Sequence, residues 1–199
     1  MTADQTRLAV WAKPCAETML SDVGKVSAQS GAKERTMIEV FGNLFVGSQE
    51  DEAATRRQSG WYVIHACKDP YHRQALGYVG RGAPKNHPEY LIAAREGRLI
   101  LNLVDAENVA YIPAEIIDAA LLAVHQNINS SKVLVHCNQG FSRSPTIALL
   151  YLAKFTDLFR SMDHSAAVQE FRRIYPAYAP AGGMADYARL NWGKYALQI

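Results

Sequence analysis

KVLVHCNQGFSRSPTIALLYLAKF, residues Lys132 to Phe155, is the stretch whose reading decides the fold. Lys132 to His136 is a short apolar run rich in β-branched residues, the mark of a strand covered on both faces. Ser144-Pro145 opens a helix, since proline is tolerated in a first turn. That helix, TIALLYLAKF, is apolar nearly all round and therefore buried. A buried strand running into a buried helix belongs to an α/β layer architecture. The loop between them lies where such folds place ligands. Backbone N–H groups and the helix dipole there favour an anion.

Residue types at this spacing assign roles. Cys137 begins the loop and Arg143, six residues on, ends it. The N–H groups of Asn138, Gln139, Gly140, Phe141 and Ser142 can turn inward as a cradle for a tetrahedral oxyanion. Arg143 adds a bidentate grip on two of its oxygens. The same field favours the thiolate form of Cys137. A thiolate facing bound phosphate is a nucleophile, and its attack gives a phosphocysteine. Gly140 allows a turn that a Cβ would obstruct. The Ser144 hydroxyl can donate to the sulfur when the thiolate must leave again. His136 orders the loop rather than titrating in catalysis.

Working outward, MIEVFGNLFVG (Met37 to Gly47) places strands on either side of Gly42-Asn43, a hairpin signal. Gln49 to Ser59 is helix-prone, and Trp61 to Ala66 is a buried strand. Lys68 to Pro88 reads as a long surface loop, Pro88 to Glu96 as a helix, and Arg98 to Val104 as a strand. Pro113 starts a helix whose face is Ile116, Ile117, Ala120, Leu121, Val124 and Ile128. Asp163 caps a helix running to about Ile174. Pro176 stops it. Gly182 or Gly183 precedes a last helix that runs toward Gln198. The fold class is α/β, a central mixed and mainly parallel sheet flanked by helices. Residues 1–35 read as an extension. Its polar Ser21 to Thr36 has linker composition, and Leu8, Val10, Trp11, Met19 and Leu20 are expected to dock as an ordered arm. The catalytic domain spans 36–199.

Composition narrows the function. Of 199 residues, 49% are hydrophobic and 20% charged, enough for a real core. A formal charge of +2 is too balanced to argue for nucleic acid or membrane binding. No apolar run has the length of a transmembrane helix or a signal peptide. Three cysteines, Cys15, Cys67 and Cys137, are too few and scattered for a disulfide framework or a zinc site. A reducing, cytoplasmic setting is expected, with no metal and no organic cofactor.

H-C-x-x-G-x-x-R-S between a strand and a helix resembles the signature of the cysteine-dependent protein tyrosine phosphatases. The wider V-L-V-H-C-x-x-G-x-S-R-S-P-T is similar to that of their compact dual-specificity branch. The resemblance covers about residues 38–195. It implies hydrolysis of phosphotyrosine and phosphoserine/threonine in proteins. It also implies a general acid, an Asp on the loop after the strand that precedes the intervening helix. Asp105 fits that place, with Glu107 as a substitute and Asp69 as a weaker one. YVIHACKDPYH (Tyr62 to His72) resembles a segment of the phosphoinositide-phosphatase branch, where a cysteine at the place of Cys67 can form a disulfide with the nucleophile. A buried Cys67 with no redox role stands beside that reading.

Asn138, Gln139 and Phe141 are not basic, which argues against a polyphosphorylated lipid head group. The signature leaves open an RNA 5′-phosphatase, a phosphosugar or phosphoinositide phosphatase, or a phosphate-binding pseudophosphatase. Phe141 can pack on an aromatic substrate. Lys68, Arg73, Arg81, Lys85, His72 and His87 could form a basic rim that selects an acidic or phosphorylated partner. Tyr175, Tyr178, Tyr187, Trp192 and Tyr195 are expected to cover the core, and Arg172 and Arg173 to face solvent near a helix end. Oligomeric state is not legible.

Overall fold

A computed structural model describes residues 37–196 of the chain. The extension over 1–35 and the arm expected from it lie outside the described residues, as do the last residues toward Gln198. The described part is built on a six-stranded sheet in the order β1-β2-β6-β3-β5-β4. The strands are β1 (Ile38–Phe41), β2 (Leu44–Gly47), β3 (Trp61–His65), β4 (Ile92–Arg95), β5 (Arg98–Leu101) and β6 (Lys132–His136). The four central strands run parallel, β2 to β6 to β3 to β5. Antiparallel hairpin strands close both edges. This is the mixed, mainly parallel sheet that the sequence implies.

Seven helices accompany it: α1 (Gln49–Thr55), α2 (Arg73–Leu76), α3 (Ala114–Asn127), α4 (Arg143–Phe155), α5 (His164–Ile174), α6 (Gly182–Leu190) and α7 (Trp192–Ala196). β6 sits between β2 and β3, and Val133, Leu134 and Val135 are fully buried. Helix α4 packs on β6 and β2 beneath α3, α6 and α7. Every residue from Arg143 to Ala153 is buried, which is why that helix is apolar all round. The hydrophobic effect therefore fixes the loop between β6 and α4 from both ends. No helix among the described residues is long and apolar enough to cross a membrane.

Four elements depart from expectation. Pro88 to Glu96 is not helical. Ile92–Arg95 is an edge strand, antiparallel to β5 across Glu96-Gly97, and Gly97 has φ 68°. A two-residue turn with a left-handed glycine makes a hairpin, and hairpin pairing overrides the helix propensity of Ala93-Ala94-Arg95-Glu96. The supposed loop after β3 begins with a turn over Lys68–His72 and continues into α2. Pro113 is the N-cap of α3 rather than its first residue. The C-terminal helix is two pieces, α6 and α7, broken at Asn191.

Tyr175, Tyr178, Tyr187, Trp192 and Tyr195 are all buried, as expected. His72 is not on the expected basic rim. His72 is fully buried, with Nε2 3.0 Å from the Glu89 carbonyl. His87 Nδ1 accepts the Glu89 amide at 3.0 Å. Both order the segment leading into β4. Arg172 Nε donates to the Tyr178 carbonyl at 3.3 Å, so it braces a turn instead of only meeting solvent.

Candidate active site

Register brings the site residues to one edge of the sheet. His136, the last residue of β6, lies opposite Gly47 of β2 and His65 of β3. Cys137 follows at once, with its amide 3.4 Å from the Gly47 carbonyl. It is 2% exposed, at the floor of the loop. Two donors aim at its sulfur. The Gly140 amide lies 3.3 Å from Sγ, and the Ser144 hydroxyl lies 3.3 Å from it. Ser144 Oγ is also 3.2 Å from the Gly47 carbonyl, so one proton serves either acceptor. Donors converging on sulfur stabilise a thiolate.

Gly140 has φ 79°, and a Cβ there would stand 3.1 Å from the Gly47 carbonyl oxygen. The turn therefore needs glycine, as its spacing implies. Tyr175 Oη donates to the Gly140 carbonyl at 2.9 Å. That residue does more than cover the core: it holds the cradle's turning point from below. The Phe141 carbonyl accepts the Ala179 amide at 2.9 Å. Gln139 is exposed.

Arg143 is the first residue of α4 and is almost wholly buried. One terminal nitrogen donates to the Leu103 carbonyl at 3.2 Å and the other to Asn138 Oδ1 at 2.7 Å. Asn138 thus steers the arginine, a role the sequence did not suggest. Its own amide nitrogen reaches Gln49 Oε1 at 3.3 Å and the Asp69 carbonyl at 3.2 Å. Arg143 Nε is buried without a hydrogen-bond partner among the described residues. A buried donor left unpaired is costly, and an incoming anion would satisfy it.

Asp105 comes to the same place. Its Oδ1 accepts the Ser142 hydroxyl at 2.7 Å, and its Oδ2 lies 3.7 Å from Arg143 Nε. The carboxyl is about one-third exposed, open to an incoming group. Glu107 turns toward α6, with Oε2 2.9 Å from where a Gly182 Cβ would be. Asp69 pairs with Arg73 at 2.7 Å. Of the three carboxylates weighed from sequence, only Asp105 is tied to the cradle.

Behind the loop lies a polar cluster that no motif signals. His65 Nδ1 and His136 Nε2 are 2.7 Å apart in a fully buried pair. His136 Nδ1 is 3.4 Å from the Cys137 carbonyl. Those contacts are mutually consistent when His136 donates from Nδ1 and accepts from His65 at Nε2. Desolvation lowers the pKa of His136 to about 4 and that of His65 to about 2. Both are neutral near pH 7, so His136 orders the loop without carrying charge. Tyr71 stacks on His65 at 4.1 Å and donates to Glu52 Oε2 at 2.9 Å.

Cys67 is fully buried one residue past Ala66, whose amide donates to the His136 carbonyl at 2.8 Å. The ends of β3 and β6 therefore carry Cys67 and Cys137 as neighbours, both free thiols. Burial pushes the Cys67 thiol up to about 12.

No family model matches the chain, and no curated protein matches it. Solved structures do. A crystal structure of DUSP15 superposes with a TM-score of 0.54 at 16% identity, over 81% of this chain and 90% of that one. The human tyrosine phosphatase-like serine/threonine/tyrosine-interacting protein gives 0.54 at 17% identity, over 82% of this chain and 100% of that one. Cydia pomonella PTP-2 phosphatase gives 0.54 at 18% identity, over 79% and 90%. A six-stranded mixed sheet, a Cys-to-Arg loop between β6 and α4, and these superpositions agree: the chain has the fold of the cysteine-dependent phosphatases in their compact dual-specificity form.

Proposed function

We propose that the chain is a cysteine-dependent phosphatase acting on phosphotyrosine and phosphoserine/threonine in proteins. The observation that carries this is the convergence of the Gly140 amide and the Ser144 hydroxyl on Cys137 Sγ beside the buried, unsatisfied Arg143 Nε. Phosphate enters with its oxygens toward the loop amides and the Arg143 guanidinium, which exchanges its contacts with Leu103 and Asn138 for them. The Cys137 thiolate attacks phosphorus. A P–S bond forms, the P–O bond to the substrate breaks, and Asp105 protonates the departing oxygen. Water then attacks phosphorus, and Asp105 takes its proton. The P–S bond breaks and inorganic phosphate leaves. Ser144 stabilises the sulfur as it departs, and Arg143 holds the equatorial oxygens in both steps.

The rim supports a protein substrate. Asn138, Gln139 and Phe141 bring no charge for a polyphosphorylated head group, and Phe141 offers an apolar face. The free thiols Cys67 and Cys137 suit a reducing, cytoplasmic setting. Hydrolysis of p-nitrophenyl phosphate between about pH 5 and 8, in reductant and chelator, tests the reading. Turnover that disappears in Cys137→Ser supports it. Turnover that survives in Cys137→Ser overturns it.

A further inference from the structure

The edge of the sheet that bears the cradle also bears a cavity of about 540 Å³, beyond the ends of β3 and β5. It falls in the size range of ligand pockets. Lys68, Arg81 and Lys85 line it, and among the described residues no carboxylate does. The carboxylates closest in sequence are engaged elsewhere: Asp69 with Arg73, Glu89 with Arg95, and Asp105 with Ser142 and Arg143. Arg81 and Lys85 are exposed and have no ion pair among the described residues. Lys68 Nζ donates to the Arg81 carbonyl, which keeps the walls together.

This cavity adjoins the cradle. The Leu103 carbonyl accepts both the Lys68 amide at 3.0 Å and Arg143 at 3.2 Å. Val104, in the cavity wall, directly precedes Asp105. An extended peptide advances about 3.3 Å per residue, so a phosphoresidue in the cradle puts a side chain one or two positions away within reach.

On the proposed phosphatase reading, we infer that this cavity is a second anion subsite, which takes an acidic or phosphorylated side chain flanking the phosphoresidue of a protein substrate. Its wall suits that occupant. Ala83, Leu91, Val104 and Pro113 meet the methylenes of such a side chain, and the cations meet its terminal charge. A nucleobase would need neutral donors and acceptors at its edges. Among the described residues of the wall Asn102 is the only amide side chain, and its N–H already serves the Tyr90 carbonyl at 2.8 Å.

The test measures binding of Cys137→Ser to three phosphotyrosine peptides by fluorescence anisotropy: flanked by glutamates, flanked by a second phosphoserine, and flanked by alanines. A 5′-triphosphorylated RNA oligomer competes. The anionic peptides are expected to bind about tenfold or more tightly than the alanine peptide, with a preference that weakens as salt rises. In an Arg81→Gln/Lys85→Gln background the preference falls to within about twofold, with the alanine peptide as the folding control. Lys85→Glu, a single exposed change, lowers it as well. Glutamate and phosphoserine arms separate a carboxylate from a phosphate occupant. Equal affinities, a preference that survives both changes, or tighter binding of the RNA through the same cations would overturn the inference. Since the binding needs no turnover, an acidic preference stands even without p-nitrophenyl phosphate hydrolysis. Hydrolysis without a preference removes the subsite and leaves the phosphatase.

Discussion

Ser142 Oγ donates to Asp105 Oδ1 at 2.7 Å while accepting the Ala181 amide at 3.0 Å. The hydroxyl thereby links the acid loop, the cradle and the start of α6. It fixes where the Asp105 carboxyl sits relative to the phosphate site, and a proton donor acts only when so placed. Asp105→Asn is expected to slow phosphorylation of Cys137 by about 10²–10⁴-fold and leave substrate affinity in place. Ser142→Ala keeps the acid but loosens it, so kcat falls about tenfold with KM little changed. In the Asp105→Asn background the serine change adds little, because the two act as one unit. Single-turnover kinetics on the four proteins check this, and fully multiplicative effects would count against the link.

The cradle's turning point depends on one hydroxyl. Tyr175 Oη is the donor to the buried Gly140 carbonyl. Tyr175→Phe leaves that carbonyl without this donor, a loss of about 1–3 kcal/mol. Urea unfolding should show it, with kcat/KM lowered as the amides facing Cys137 lose their alignment. Gly140→Ala is expected to be worse, since it adds a Cβ 3.1 Å from the Gly47 carbonyl in a left-handed conformation. Activity in the order wild type, Tyr175→Phe, Gly140→Ala is the outcome to look for. Equal loss in both variants would contradict it.

The legibility of this molecule follows the range of its interactions. Strand β6 and helix α4 were readable because burial on all sides leaves a continuous apolar run. Cys137, Arg143, Ser144 and Gly140 were readable because they share one loop and their spacing carries their chemistry. Asp105 needed a resemblance, since only tertiary structure ties it to Ser142. The steering of Arg143 by Asn138, the His65–His136 pair and the Tyr175 brace were not legible. Each joins residues whose chemistry is generic and whose meeting depends on sheet register or distant packing. Strand β4 was missed for a related reason: an edge strand of alanines has no hydrophobic alternation to read.

A redox role for Cys67 is a prediction that its burial bears on. If peroxide converts Cys137 to a sulfenic acid, a Cys67 thiolate attacking that sulfur would form the S–S bond and expel hydroxide, which takes up a proton as water. With its thiol pushed up to about 12, Cys67 gains thiolate roughly tenfold per pH unit below that value. Mass spectrometry of peroxide-treated protein is expected to find a Cys67–Cys137 peptide that forms faster at pH 9 than at pH 7. Direct passage of Cys137 to its sulfinic acid at both pH values, with no linked peptide, would leave Cys67 as packing alone.

The buried histidines make stability pH-dependent. His136 and His65 have pKa values lowered from 6.5 to about 4 and about 2. Below about pH 6.5 the unfolded chain binds protons that the native state refuses, so stability falls as pH falls. The loss runs down to about pH 4 for His136 and continues to about pH 2 for His65. Desolvation shifts His72 and His164 the same way. The urea midpoint should therefore drop between pH 7 and pH 5, above the range where most carboxylates titrate. A flat midpoint would mean that the His65–His136 pair accepts a proton at little cost.

The central claim is that phosphate passes through Cys137. Mixing the protein with a phosphotyrosine peptide carrying radiolabelled phosphate, quenching in acid within milliseconds and mapping the label by proteolysis tests it directly. The result expected is label on the peptide containing Cys137, more persistent in Ser144→Ala, where the departing thiolate loses a donor. Steady hydrolysis with no label on Cys137, or with label on another residue, would contradict the account.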